Sequence, residues 1–321
     1  MTCAGVKRMT HKKNHMKKSI IGLLLLPCFV MWGQTGLQTK RPEVPYVPTP
    51  EEVVVEMLRM ADVSQDDVVY DLGCGDGRIV ITAAKELGCR GVGIDIDPVR
   101  IQESRINASN AGVSDRVEFF QMDLFEAEIN QASVVTLYLL SRVNLRLRPK
   151  LFRELKPGTR VVSHDFSMGD WTPEKSVVIE EKVDYVPLQD TRFIDDYWNK
   201  HTVYFWVMPA NVSGIWKWTL PSESGNKTYV LEIDQVFQMI EGKAFEGSSQ
   251  IPFHPKNGKI IGDKLEFTLD TKVKGRRETM HFEGIVKNND IVGFVRIAGK
   301  PDSETKWQAT RDPSTRKPIE K

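Results

Sequence analysis

Val68-Val-Tyr-Asp71-Leu-Gly73-Cys-Gly75-Asp76-Gly77 is the stretch on which the fold of this chain turns. A run rich in β-branched residues ends in an acid, passes through three alternating glycines and opens at once into a helical pattern over 78–87. Strand, tight turn and helix in that order form the opening unit of a doubly wound α/β sheet. Gly73 and Gly75 permit positive φ and carry no Cβ to block a ligand. The following helix aims its first N–H groups and positive dipole end at the turn. The segment, closed by Gly77, reads as a cradle for a nucleotide-like cofactor.

The spacing argues against a dinucleotide. A pyrophosphate fingerprint runs G-x-G-x-x-G, whereas here Asp71 precedes a G-x-G-x-G turn and Asp76 lies inside it, and two carboxylates would repel a pyrophosphate. A positively charged cofactor with an amino-acid end and a ribose suits them, and S-adenosyl-L-methionine has those features. The second strand, Gly91-Val-Gly-Ile-Asp95-Ile96-Asp-Pro98, ends in an acid placed to accept the ribose hydroxyls, while Asp97 caps the helix that Pro98 opens. The third, Val117-Glu-Phe-Phe-Gln-Met122-Asp123-Leu124, ends in an acid suited to the adenine amino group, with Met122 and Leu124 covering the ring. Three successive strands that each end in an acid make the pattern specific. Asp71 and Asp76 are expected at the cofactor's amino-acid end, and Tyr46, Thr49 and Ile96 complete the expected cofactor set.

The segment from Tyr46 to Met208 resembles the class I, seven-strand S-adenosylmethionine-dependent methyltransferases, whose first motif is matched by Asp71-Leu-Gly-Cys-Gly-Asp-Gly-Arg78. Pro45-Tyr-Val-Pro-Thr-Pro50 with Gly75-Asp-Gly-Arg-Ile-Val-Ile81 is similar to the mitochondrial lysine methyltransferases that modify the c-ring protein of ATP synthase. The second-strand acid departs from that narrower family, which commonly has Glu in a Tyr-Glu-Leu-Asn setting. The resemblance implies a seventh strand inserted antiparallel between the fifth and sixth, and methyl transfer to an amine, with protein lysine first and a small molecule second. An exported cofactor-binding protein without turnover is the rival reading.

Composition bounds the rest. With 321 residues, 40% of them hydrophobic, the chain can bury one full core or two. A net charge of +1 hides an asymmetry: residues 1–33 carry six Lys and Arg and no acid, residues 34–211 hold 20 basic and 28 acidic side chains, and residues 212–321 are net +3. An acidic catalytic region repels phosphate backbones, so nucleic acid is excluded as the expected substrate. The apolar stretch 20–32 behind the basic start reads as a signal peptide, with translation starting at Met1 or Met16. Cleavage implies an exported or periplasmic protein; retention implies membrane association through the N-terminus. Cys74 and Cys89 fall at opposite ends of a parallel sheet and are expected as free thiols.

Strands are expected near 67–72, 90–96, 117–122, 133–139, 159–166, 177–183 and 201–208. Helices are expected near 51–60, 78–87, 98–111 and 144–155, the first opened by a Thr49-Pro-Glu-Glu52 capping box. From Gly214 the texture changes to short alternating runs, among them 229–233, 236–240, 264–268, 281–286, 291–297 and 306–309. Turns such as Asn257-Gly258 separate them. This predicts a smaller all-β antiparallel region of six to eight strands, a barrel or curled sheet, with Gly242, Gly262, Gly284 and Gly293 at its bends. The resulting division is a leader over 1–33, a methyltransferase domain over 34–211 and an accessory domain over 212–321. The accessory part could sit against the first, bind a ligand in its mouth or present a substrate.

Methyl transfer aligns a neutral nucleophile with an electrophilic carbon, so no dedicated base is obligatory. Tyr138 after the fourth strand and Asp165 in His164-Asp-Phe166 after the fifth are the candidate catalytic residues, with Phe193, Tyr197 and Trp198 as a candidate lid. Tyr46 could lie over the sulfonium or simply pack. The six histidines are scattered without ligand spacing, so no metal site is expected.

Overall fold

The computed structural model describes residues 41–180, 200–222, 225–273 and 276–319. The leader and the Phe193, Tyr197 and Trp198 group fall outside them. Lys40–Lys321 form one compact unit containing two sheets. The first sheet takes β1 (Val68–Leu72), β2 (Arg90–Asp95), β3 (Val117–Gln121), β4 (Val134–Leu137), β5 (Arg160–His164), β6 (Lys175–Glu180) and β7 (Lys200–Val207) in the order β3-β2-β1-β4-β5-β7-β6. Only the pairings of β7 are antiparallel, and β7 lies between β5 and β6.

Alternation along each strand covers both faces. Val69, Val134, Val162, Val203 and Phe205 face one core with α1 (Glu51–Met60), α2 (Arg78–Leu87) and α3 (Pro98–Ala111). Tyr70, Leu72, Val135, Leu137, Val161 and Trp206 face a second core with α4 (Ser141–Glu154). Each such side chain, fully buried, contributes about 1.5–3 kcal/mol. The strand order reverses between β1 and β4, which opens a crevice beyond their carboxyl ends.

Helix α4 begins three residues earlier than the pattern suggested, because Leu140 opens it with no side-chain cap to mark the start. The capping box is corrected too: Pro50 occupies the cap position, no side chain caps α1, and the Thr49 hydroxyl faces His164 Nδ1 at 3.4 Å.

The second sheet is a closed antiparallel barrel. Its strands are β8 (Gly214–Leu220), β9 (Lys227–Val236), β10 (Met239–Glu246), β11 (Lys256–Ile261), β12 (Lys264–Val273), β13 (Arg276–Lys287), β14 (Asp290–Ile297) and β15 (Lys300–Arg311), each paired to the next in sequence, with β15 returning to β8. Two sequence readings fail here. The run 236–240 is no strand: Phe237 and Gln238 form the β9–β10 turn, with Phe237 at φ 53°. Asn257-Gly258 is no hairpin turn but an irregularity inside β11, where the register against β12 shifts between Lys256 and Lys259. Gly293 is required by close approach, since a Cβ there would stand 1.9 Å from the Glu283 carbonyl oxygen.

The barrel's interior is filled. Trp218, Phe267, Phe282 and Trp307 pack edge-to-face and stacked with centroids 4.7–6.1 Å apart. The β9–β10 turn reads as a strand because it is buried against the first sheet. Phe237 stacks 6.0 Å from Trp171, Gln238 Nε2 donates to the Thr172 carbonyl at 2.7 Å, and Lys259 meets Glu174 at 2.7 Å.

Candidate active site

A cavity of about 590 Å³ lies over the carboxyl ends of β1, β2 and β4, within the range of small-molecule sites. Its floor is the glycine turn. Gly73 and Gly75 adopt φ 92° and 53°. A Cβ on Gly75 would sit 2.5 Å from Tyr46 Cε2, so the turn must be bare for the 41–49 segment to cross it. That segment is the cavity's cover. Arg78 fixes one end by donating to the Thr49 carbonyl at 2.8 Å, and Arg142 and Arg146 hold Glu43 at the other.

Of the acids that line the cavity, Asp71, Asp95 and Asp123 stand near the ends of β1, β2 and β3, and Asp76 stands in the glycine turn. Asp71 is 2% exposed, and its carboxylate accepts from Thr136 Oγ1 at 2.9 Å. Burial pushes its pKa up to about 7, with Asp95 and Asp76 adding to the rise against the Thr136 hydrogen bond. Burial also raises Asp76, but the Arg78 guanidinium, at 2.7 Å with further contacts at 3.0 and 3.2 Å, outweighs it and holds that carboxyl below the ordinary range. Asp95 accepts from Gly75 N–H and Asp97 N–H, both at 2.9 Å, so one carboxylate braces the turn and faces the cavity. Asp97 caps α3 through Val99 N–H. At the third strand end, Asp123 accepts from Phe125 N–H at 3.0 Å.

Tyr46, Thr49, Asp71, Gly73, Gly75, Asp76, Asp95, Ile96, Met122, Asp123, Leu124 and Tyr138 all line this one cavity. Two expected residues do not. Gly77 caps α2, and a Cβ there would strike Phe119 and Ser104, so it serves helix–strand packing. Asp165 stands outside the cavity wall, its Oδ1 accepting from Thr202 N–H at 2.8 Å and its Oδ2 near His164 and His201. Tyr46 carries the Arg100 guanidinium 4.5 Å over its ring. Cys74 and Cys89 are buried free thiols, and burial raises the Cys74 pKa well above its usual value.

Sequence reading missed Arg78 as the counter-ion of Asp76 and Thr136 as the partner of Asp71. A signal for Thr136 existed: it is the one polar residue in the apolar run Val134–Leu137. Two of the histidines are brought together in space. His164 Nε2 and His201 Nδ1 lie 2.9 Å apart, joined by Asp165, and only their separation in sequence concealed it.

The family model described as the ANTKMT methyltransferase domain matches residues 71–175. A protein-lysine N-methyltransferase of Saccharolobus islandicus is 53% identical over 141 residues, which is 44% of this chain and 88% of that protein. The chain belongs to the class I S-adenosylmethionine-dependent methyltransferases. A lysine N-methyltransferase of Xenopus laevis, named for the c-ring protein of ATP synthase, is 34% identical over 143 residues, 44% of this methyltransferase and 62% of the relative. A crystal structure described as an RNA methyltransferase from Salinibacter ruber, in complex with S-adenosyl-L-homocysteine, shares 53% identity with a TM-score of 0.44, covering 52% of the methyltransferase and 96% of that chain.

S-adenosylmethionine is the cofactor of this enzyme, and the cavity suits it. The acids that line it suit a cationic ligand carrying hydroxyl and amine donors. Asp71 and Asp76 would stand by its amino-acid end, Asp95 by its ribose, and Asp123 with Met122 and Leu124 by its adenine.

Proposed function

We propose that this methyltransferase acts on the ε-amine of lysine in a protein substrate. The observation that carries this reading is the 53% identity to a protein-lysine N-methyltransferase along 88% of that protein's length. The net charge of −8 over residues 34–211 supports it, since such a surface disfavours a nucleic-acid acceptor.

The bound cofactor supplies an electrophilic methyl carbon on a sulfonium. The chain's own residues then bring in the amine without its proton and hold its lone pair in line. Tyr138, Leu139 and Val143 form an apolar wall at the β4 end of the cavity, where desolvation disfavours an ammonium and lowers its pKa. Tyr138 is fixed in orientation by stacking on His164 with ring centroids 3.8 Å apart. Asp165 does not line that wall, so solvent at the mouth would take the amine's proton. The negative cavity favours a cationic side chain on approach, and only the final approach strips it of water.

The test is incubation of purified enzyme with methyl-labelled cofactor and a cell extract, followed by fractionation into polypeptide, RNA and small molecules. Label recovered from acid hydrolysates as methyl-lysine is expected. Label confined to RNA or to small molecules overturns the reading.

A further inference from the structure

Outside the cavity wall, behind Tyr138, three side chains converge from two strands. His164 ends β5 and is fully buried; Asp165 follows it; His201 is the second residue of β7. The antiparallel β5–β7 register, His164 opposite Val203, brings His201 alongside. Asp165 adopts φ 57°, a left-handed conformation that aspartate tolerates better than most residues, with its carboxylate beside both rings.

The three facing atoms are His164 Nε2, His201 Nδ1 and Asp165 Oδ2, with separations of 2.9, 3.2 and 3.4 Å. Protons cannot satisfy all three edges. With the carboxylate ionised, as an aspartate that reaches solvent ordinarily is, the histidine–histidine edge needs one N–H and one bare nitrogen. The bare nitrogen then faces the carboxylate oxygen lone pair to lone pair. If both nitrogens carry hydrogen, the two hydrogens oppose each other across 2.9 Å. A cation satisfies every edge at once. For a triangle of this size, a point about 1 Å off its plane is about 2.0–2.1 Å from all three corners, the bond length of a transition cation to nitrogen and oxygen.

We propose that His164, Asp165 and His201 bind one divalent first-row transition cation of the zinc class. Two imidazoles and one carboxylate favour such an ion over magnesium or calcium, which take oxygen ligands. An outer shell is in place: Thr202 N–H holds Asp165 Oδ1 at 2.8 Å, and Thr49 Oγ1 stands 3.4 Å from His164 Nδ1. The ion would tie β5 to β7 and fix His164 against Tyr138, so it acts as a positioning element for the acceptor wall. This inference stands on the cluster's geometry and is independent of which acceptor the enzyme uses.

The test titrates metal-free full-length enzyme with Co²⁺, reading the visible absorption of low-coordinate cobalt, and then adds Zn²⁺ as competitor. His201→Gln and Asp165→Asn run in parallel, because the chain carries other histidines and thiols; cofactor affinity and circular dichroism report whether each variant is folded. One equivalent of Co²⁺ displaced by Zn²⁺, with affinity at least tenfold weaker in both variants, is expected. Should the variants not fold, crystals of the wild-type enzyme soaked in Zn²⁺ give the answer through anomalous scattering, with a peak among the three atoms expected. Absence of stoichiometric binding, equal binding by folded variants, or an anomalous peak only elsewhere overturns the site and leaves the cluster as a proton-sharing pair.

Discussion

The two sheets solve opposite problems with similar means. In the barrel, inward-facing Trp218, Phe267, Phe282 and Trp307 meet across the axis and pack on one another. In the first sheet, apolar side chains fill both faces but stop at the strand ends, where Asp71, Asp95 and the β3-end Asp123 take over and a cavity remains. A carboxylate is costly among apolar neighbours, so the acids near the ends of β1, β2 and β3 favour a cationic ligand in that space. The difference between a packed body and a site comes down to the acids standing at, or within two residues of, the carboxyl ends of β1, β2 and β3.

Trp307→Ala tests the packed half and should have the largest effect. Trp307 is 3% exposed and packs on Trp218, Phe267 and Phe282, and truncation should cost about 3–5 kcal/mol in denaturant unfolding. A loss below about 1 kcal/mol would mean the interior is not close-packed.

Asp71 tests the open half through pH. Its folded pKa, near 7, lies above its unfolded value, so the neutral form stabilises the cofactor-free protein fully below about pH 4. That contribution is lost as pH rises through 7, with a slope of at most about 1.4 kcal/mol per pH unit. Comparing wild type with Asp71→Asn between pH 5 and 8 isolates it. The wild type should lose stability relative to the variant as pH rises; parallel curves would sink the assignment.

Gly75→Ala places a Cβ against Tyr46 at φ 53° and should cost about 1–2 kcal/mol of stability. Adding Tyr46→Ala should relieve the steric part and leave the backbone part, read by thermal unfolding of both variants. Lys259→Ala removes one ion pair between barrel and sheet, with Lys259 41% exposed, and should change stability by under about 1 kcal/mol, less still in high salt.

The first sheet was legible because its strands are apolar runs with glycine or acid at their ends, so β1, β2 and β3 and the helices after β1 and β2 could be placed from sequence alone. The same local reading failed where tertiary partners set the residue type. Thr49 looked like a helix cap because Thr-Pro-Glu-Glu satisfies the local pattern, yet its hydroxyl faces His164, 115 positions away. Phe237 and Gln238 looked like strand residues because their partners, Trp171 and Thr172, make a turn apolar and buried. At the site, the acids were visible as strand ends, whereas the Asp71–Thr136 bond and the His164–His201 pair depend on which strands become neighbours. No spacing in the chain announces that.

The central claim is that acids from successive strand ends surround one adenosyl cofactor in this cavity. Isothermal titration of S-adenosylmethionine into wild type and Asp95→Ala tests it most directly, with unfolding temperatures checked alongside. The account predicts binding at least tenfold weaker in a variant that remains folded; wild-type affinity in Asp95→Ala would contradict it.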